Sequence, residues 1–141
     1  AVRVNPSQVN SPEIYFGSSR NSRLANGASG TAGVQTFTLP SSPDLNSLYL
    51  AGTWDIQPEY AENVTGSGSI VFTYDAKDVY MVASAEEPVT ISVLRDTELI
   101  QELTISEEKL YTLIEGEEYG EHTLEIEVPA PGLRAFTFTF G

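Results

Sequence analysis

The stretch L-R-A-F-T-F-T-F-G, Leu133 to Gly141, puts a large apolar residue at nearly every second position, and T-L-E-I-E-V, Thr123 to Val128, does the same with carboxylates in between. Side chains of a strand alternate between its two faces. Leu124, Ile126 and Val128 are therefore expected to point into a core while Glu125 and Glu127 meet water. Phe136, Phe138 and Phe140 are expected to share one face. A core-facing strand at the C-terminal end is expected to tie that end into a sheet and to mark the edge of a domain.

Working back from these two segments, short runs rich in Val, Ile, Thr, Tyr and Phe recur between turn residues, the pattern of an all-β sandwich or barrel. The candidate strands are 13–16, 34–39, 47–57, 68–75, 78–86, 89–95, 110–113, 120–128 and 133–140. No sustained 3.6-residue periodicity is present, and the one helix-like piece, Ser106 to Leu110, is at most a single turn. Strands without intervening helices exclude parallel crossovers. The expected fold is all-β, an antiparallel two-sheet β-sandwich in jelly-roll order. Residues 1–10 read as a linker and 11–141 as the domain. The polar run Gly17 to Gly33, with a single Leu and no aromatic, is expected to be a mobile loop.

Composition removes whole classes of function. The 141 residues contain no cysteine, so the chain has no thiol chemistry of its own. No apolar run approaches the roughly 20 residues that span a bilayer as a helix, so no direct membrane insertion is expected. The net charge is −13, and it is uneven: residues 1–74 carry three basic against five acidic side chains, residues 75–141 four against fifteen. Such a surface repels phosphate backbones, which excludes nucleic acid as a partner.

Few constellations carry chemistry. His122, the single histidine, has no nucleophile motif beside it and cannot build a zinc site alone. Asp75 and Asp78 flank D-A-K-D, where a plain β-turn accounts for them better than calcium; whether a metal binds is left open. Asp55, Glu59 and Glu62 near Trp54 form the one group that a glycoside hydrolase would use. A sugar-binding face needs exposed aromatic rings beside planar hydrogen-bonding groups, and Tyr15, Tyr49, Trp54 and Tyr60 with Arg20, Arg23, Asp55, Gln57 and Glu59 supply both types.

Five motifs in order, S-P-E-I-Y-F-G (11–17), G-T-W-D-I-Q-P-E-Y (52–60), Y-D-A-K-D-V-Y-M-V (74–82), G-E-H-T-L-E-I (120–126) and A-F-T-F-T-F-G (135–141), resemble the C-terminal domain of DipZ-type thioredoxin-like, cytochrome c biogenesis proteins. That domain is a β-sandwich likened to carbohydrate-binding modules. The resemblance implies an extracytoplasmic, non-catalytic accessory module without a cofactor, joined in its parent chain to a thioredoxin-like domain that holds the CxxC. It implies a carbohydrate ligand or, alternatively, a docking face for that neighbouring domain. Glu13, Tyr15, Gly17, Trp54 and Glu59 are the positions it carries over. Arg20 lies in a loop longer than the family usually has.

Overall fold

β5 (Gly68–Ser84) and β8 (Lys109–Val128) are the two long strands of the molecule, and the whole arrangement hangs on them. They pair antiparallel along almost their full length, with register shifts between Ala76 and Asp78 and again between Val79 and Tyr80. A bulge bends a strand and raises its twist. One end of each strand thus serves one layer of the sandwich and the other end the second. The structure is a computed structural model, and it describes residues 8–141.

In the first layer, Ser69 to Phe72 of β5 pairs with β3 (Leu48–Ile56), which carries β2 (Gly33–Phe37) on its other edge. On the far side, the C-terminal end of β8 pairs with β6 (Val89–Arg95), and β6 with β7 (Glu98–Ile105). In the second layer, Val79 to Ser84 of β5 lies between the N-terminal end of β8 and β9 (Arg134–Phe140). β1 (Ile14–Tyr15) and β4 (Ala61–Asn63) line the outer edge of β9, and β4 also pairs with β3, joining the layers. Every named pair is antiparallel, and the strand path β1-β9-β4-β3-β5-β8-β6-β7, with β2 on β3, is the expected all-β sandwich.

Between the layers lies one core. Leu124, Ile126 and Val128 are fully buried from β8, as their alternation requires. Phe138 reaches across to Phe72 at 5.9 Å and takes Phe16 edge-on at 5.1 Å, both favourable ring geometries. Asn63 is the buried polar joint: its Oδ1 accepts from the Leu133 amide at 2.8 Å, and its Nδ2 donates to the Ala130 carbonyl at 2.7 Å. The side chain thereby fastens β4 to the approach of β9, and a fully satisfied buried amide carries little cost.

Several expectations change. D-A-K-D is not a turn: Asp75 and Asp78 sit within one continuous strand, on either side of its bulge. Asp75 accepts from the Asn10 side chain at the surface, whereas Asp78 is buried and accepts the Gly116 amide at 3.1 Å. The two therefore have separate structural partners. Ser106 to Leu110 forms no helix: Ser106 to Glu108 connect β7 to β8, and Lys109 and Leu110 begin β8. Segments 110–113 and 120–128 are one strand, and β4 and β7 are strands the periodicity missed.

The Gly17–Gly33 run is fastened to the body rather than loose. Leu24 is buried and bridges Leu48, and two asparagines do the work of missing strand partners. Asn21 donates to the Phe16 carbonyl and accepts from the Gly30 amide at 2.6 Å, and Asn26 donates to the Leu50 carbonyl at 2.7 Å while accepting the Leu50 amide at 3.2 Å. The reading of 1–10 as a linker lies largely outside the described residues. Among the described residues of that stretch, Val9 packs on the core and the Asn10 amide donates to the Asp75 carbonyl at 2.8 Å.

Candidate functional site

A bulge in β9 decides what its outer face presents. Ala135 pairs with Ala83 but Thr137 with Val82, so Phe136 is an extra residue opposite one step of β5. Its ring leaves the core row of Phe138 and Phe140, correcting the expectation that all three share a face. It lies instead against Tyr60, ring centres 5.2 Å apart, on the wall of a surface groove. The groove has a volume of about 360 Å³ and is lined by Tyr15, Gly17, Ser19, Arg20, Pro58, Glu59, Phe136 and Thr137.

Three elements build it. β1 supplies Tyr15, which alternation turns outward because its neighbours Ile14 and Phe16 are buried. The chain then crosses the Pro58–Glu59 corner with no room for a side chain. A Cβ on Gly17 would stand 2.3 Å from the Pro58 carbonyl oxygen and 2.5 Å from Glu59 Cα. The contact is sealed by the Ser18 amide on the Gln57 carbonyl at 2.9 Å and the Ser19 amide on the Pro58 carbonyl at 3.1 Å. Gly17 is thus what brings Arg20 and Glu59 to one groove.

Charge and aromatic surface alternate along this face. The Arg20 guanidinium lies 4.7 Å above the Tyr15 ring centre, and Arg134 lies 5.3 Å from the ring centre of Tyr60. Such cation–ring contacts contribute about 0.5–1 kcal/mol at exposed sites and fix the orientation of the guanidinium. Arg134 is further held by Glu62 at 2.7 Å and Glu86 at 3.1 Å, and the Glu62 hydrogen bond above all raises its already high pKa. Tyr15, Phe136 and Tyr60 are all half-buried, so each shows an edge or face to solvent while its body is packed.

The candidate residues divide accordingly. Tyr15, Arg20 and Glu59 meet in the groove, with Tyr60 beside it. Trp54 does not: it is completely buried, its Nε1 donating to the Ala51 carbonyl at 2.8 Å, so it is a core residue and no ligand platform. Tyr49 is buried too, its hydroxyl accepting the Asp44 amide at 3.0 Å. Glu13 is exposed and lies outside the lining. Phe136 escaped detection because only a bulge, which period-2 reading cannot see, turns it outward. Of the carboxylates grouped with Trp54, Asp55 holds Gln57 at 2.9 Å and Glu62 holds Arg134, in a different depression from Glu59.

His122 likewise has a structural partner. Its Nδ1 is 2.5 Å from Asp96 Oδ2, and Asp96 Oδ1 accepts the Thr123 amide at 2.8 Å. Burial works to raise the Asp96 carboxyl, but the hydrogen bonds from Thr123 and His122 and the neighbouring positive charge outweigh it and hold the group below its ordinary value. Asp96 and Thr97 form the left-handed two-residue turn between β6 and β7, with φ of 50° and 72°, so the pair clips that hairpin to β8. Among the described residues no three His, Cys, Asp or Glu side chains converge as metal ligands.

The fold and groove define a β-sandwich domain with an aromatic surface face. The chain matches the model of the family described as Thioredoxin like C-terminal domain over residues 11–141, and it belongs to that family. It is 29% identical over 138 residues to the DipZ proteins of Mycobacterium bovis and Mycobacterium tuberculosis, covering 98% of this chain. It spans only about a fifth, 19%, of the length of those relatives. Among solved structures it is similar in fold to a family two carbohydrate esterase from Clostridium thermocellum in complex with cellohexaose, with a TM-score of 0.58 and 13% identity over 62% of this chain and 29% of that one. The corresponding esterase from Cellvibrio japonicus gives a TM-score of 0.59 and 14% identity over 66% and 30% of the two chains. No described helix is long and apolar enough to cross a membrane.

Proposed function

We propose that this domain is the non-catalytic accessory module of a longer, extracytoplasmic thioredoxin-like thiol–disulfide protein, and that the Tyr15–Phe136 groove is its carbohydrate-binding face. The observation that carries the reading is the convergence in one groove of two outward rings with an arginine and a carboxylate, Arg20 and Glu59. Sugar rings stack their C–H faces on aromatic surface, and planar charged groups bind vicinal hydroxyls in pairs. The lack of cysteine leaves electron transfer to the partner domain of the parent chain. An open groove of this size supports weak binding.

Amide chemical shifts measured while cello-, xylo- and chito-oligosaccharides are added test the proposal. Shifts are expected at Tyr15, Arg20, Glu59 and Phe136, and Tyr15→Ala is expected to weaken the response at least tenfold. Trp54 fluorescence is a poor reporter, since the indole is sealed in the core. If none of these glycans moves the groove signals, but the upstream thioredoxin-like domain in the intact parent chain does, the face is a docking surface and the carbohydrate reading falls.

A further inference from the structure

The groove does not stop at Arg20. A second depression of about 190 Å³ shares Ser19 and Arg20 with it and continues along the 17–33 loop, lined further by Ser18, Ser22 and Ser29. No carboxylate lines this second compartment, in a chain of net charge −13. Arg20 and its exposed neighbour Arg23 have no carboxylate within ion-pairing distance among the described residues, whereas Arg134 has two and Lys109 has one. The Ser18, Ser19, Ser22 and Ser29 side-chain hydroxyls are likewise free of protein partners among the described residues. The loop bearing them is held in shape from beneath by Asn21, bonded to the Phe16 carbonyl and the Gly30 amide. Arg20 lies with its guanidinium over Tyr15, so its N–H edge remains available at the junction of the two compartments.

Resting on the carbohydrate reading above, we infer that the ligand is an acidic saccharide: a sugar ring lies on Tyr15 and Phe136, and a carboxylate or phosphate substituent enters the serine compartment to meet Arg20. An array of hydroxyl donors with one unpaired guanidinium fits the oxygens of an anion, and hydrogen bonds to a charged group are stronger than those between neutral partners. Glu59 lines the aromatic compartment and not the serine one, so the anionic substituent is placed by Arg20 and the serines rather than beside a carboxylate. The asymmetry also sets the direction in which a ligand lies.

Amide-shift titrations with methyl glucuronide, glucose 6-phosphate, methyl glucoside and inorganic phosphate at about 50 mM salt test this. The two charged sugars are expected to bind roughly tenfold more tightly than methyl glucoside, a factor equal to about 1.4 kcal/mol, and they alone should shift the amides of Ser18 to Ser22 and Ser29. Glucuronide against sugar phosphate tells which anion is preferred. Arg20→Gln should erase the advantage and also weaken the neutral sugar, since Arg20 lines the aromatic compartment as well. Ser22→Asp, which lines only the serine compartment and spares Tyr15 and Arg20, should erase the advantage while leaving the neutral sugar's weak binding. Equal affinity for charged and neutral sugars would overturn the acidic class but leave the groove a carbohydrate site. Inorganic phosphate binding as tightly as glucose 6-phosphate would overturn the coupling of the two compartments, and silence from all three sugars would overturn both this inference and the reading beneath it.

Discussion

Tyr74 is a core residue with a polar atom and nothing to satisfy it. Its side chain is fully buried, its ring stacks near Phe140 at 5.8 Å, and its hydroxyl has no hydrogen-bond partner among the described residues. Burial pushes its pKa up to about 12, with Arg95 working in the opposite sense and Asp96 and Asp78 adding to the rise. The sign of the stability effect follows. Below pH 10 the phenol is neutral in both folded and unfolded chains. Between pH 10 and 12 the unfolded chain gives up the proton and the folded one does not, so stability falls by about 1.4 kcal/mol per pH unit. Tyr74→Phe removes that slope, and because an unsatisfied buried hydroxyl costs about 1–3 kcal/mol, it should also raise stability near neutrality by about 1 kcal/mol. Urea unfolding of both proteins at pH 7, 10 and 11.5 measures both effects; an unchanged difference across the three pH values would show that the hydroxyl titrates normally. The same residue scale explains why Trp54 and Tyr49 misled: composition identifies an aromatic ring, but only the register of β3 against β5 and β4 decides whether it faces solvent.

At the scale of elements, what the sequence made legible was alternation, and what it hid was bulges. T-L-E-I-E-V announces its face because each step along it reverses the side chain. Phe136, Ala76 to Asp78 and Glu115 to Gly120 sit where that rule breaks, so a continuous β5 reads as two strands and a turn, and a groove wall reads as core. β4, three residues long, is too short to show any period. The 17–33 loop hides for a different reason, since its order comes from asparagine side chains replacing backbone partners rather than from apolar burial. Tyr15 and Glu59, by contrast, were legible within their motifs, and Gly17 between them has a steric meaning. Gly17→Ala would drive a methyl group into the Pro58–Glu59 backbone, which cannot yield as a flexible side chain would. Overpacking of this kind costs about 1–3 kcal/mol. The variant should lose that amount in urea unfolding and, with β1 pushed off the corner, lose the groove response to any ligand the native protein binds. A variant with native stability and native groove signals would show that the corner is plastic and that Gly17 does not position the site.

For the whole molecule the dominant long-range force is its own charge. Fifteen of the twenty acidic residues lie in 75–141, the part of the chain from the middle of β5 onward, against four cations there. Several of these acids are neighbours: Glu125 and Glu127 share a face of β8, and burial first, then the charge and hydrogen bonding of Glu127, raise the pKa of Glu125. Like charges held at fixed separations in the folded state spread apart on unfolding, so net charge of this size destabilises the compact form. Salt acts on this term alone among the large ones. The screening length is about 30 Å at 0.01 M ionic strength, comparable to a small domain, and falls to about 10 Å at 0.1 M. Melting temperature should therefore rise by several degrees between 0.01 and 0.2 M sodium chloride and then level off, because beyond that point only adjacent pairs remain unscreened. Surface ion pairs such as Arg134 with Glu86 work the other way, since salt weakens them, but exposed pairs contribute at most about 1 kcal/mol each and the described cations are too few to reverse the trend. Differential scanning calorimetry across that range decides the balance. A melting temperature that falls with added salt would mean that the paired cations, not the acidic excess, govern the stability of the domain, and the free guanidinium of Arg20 would then be an exception within a molecule built on ion pairs.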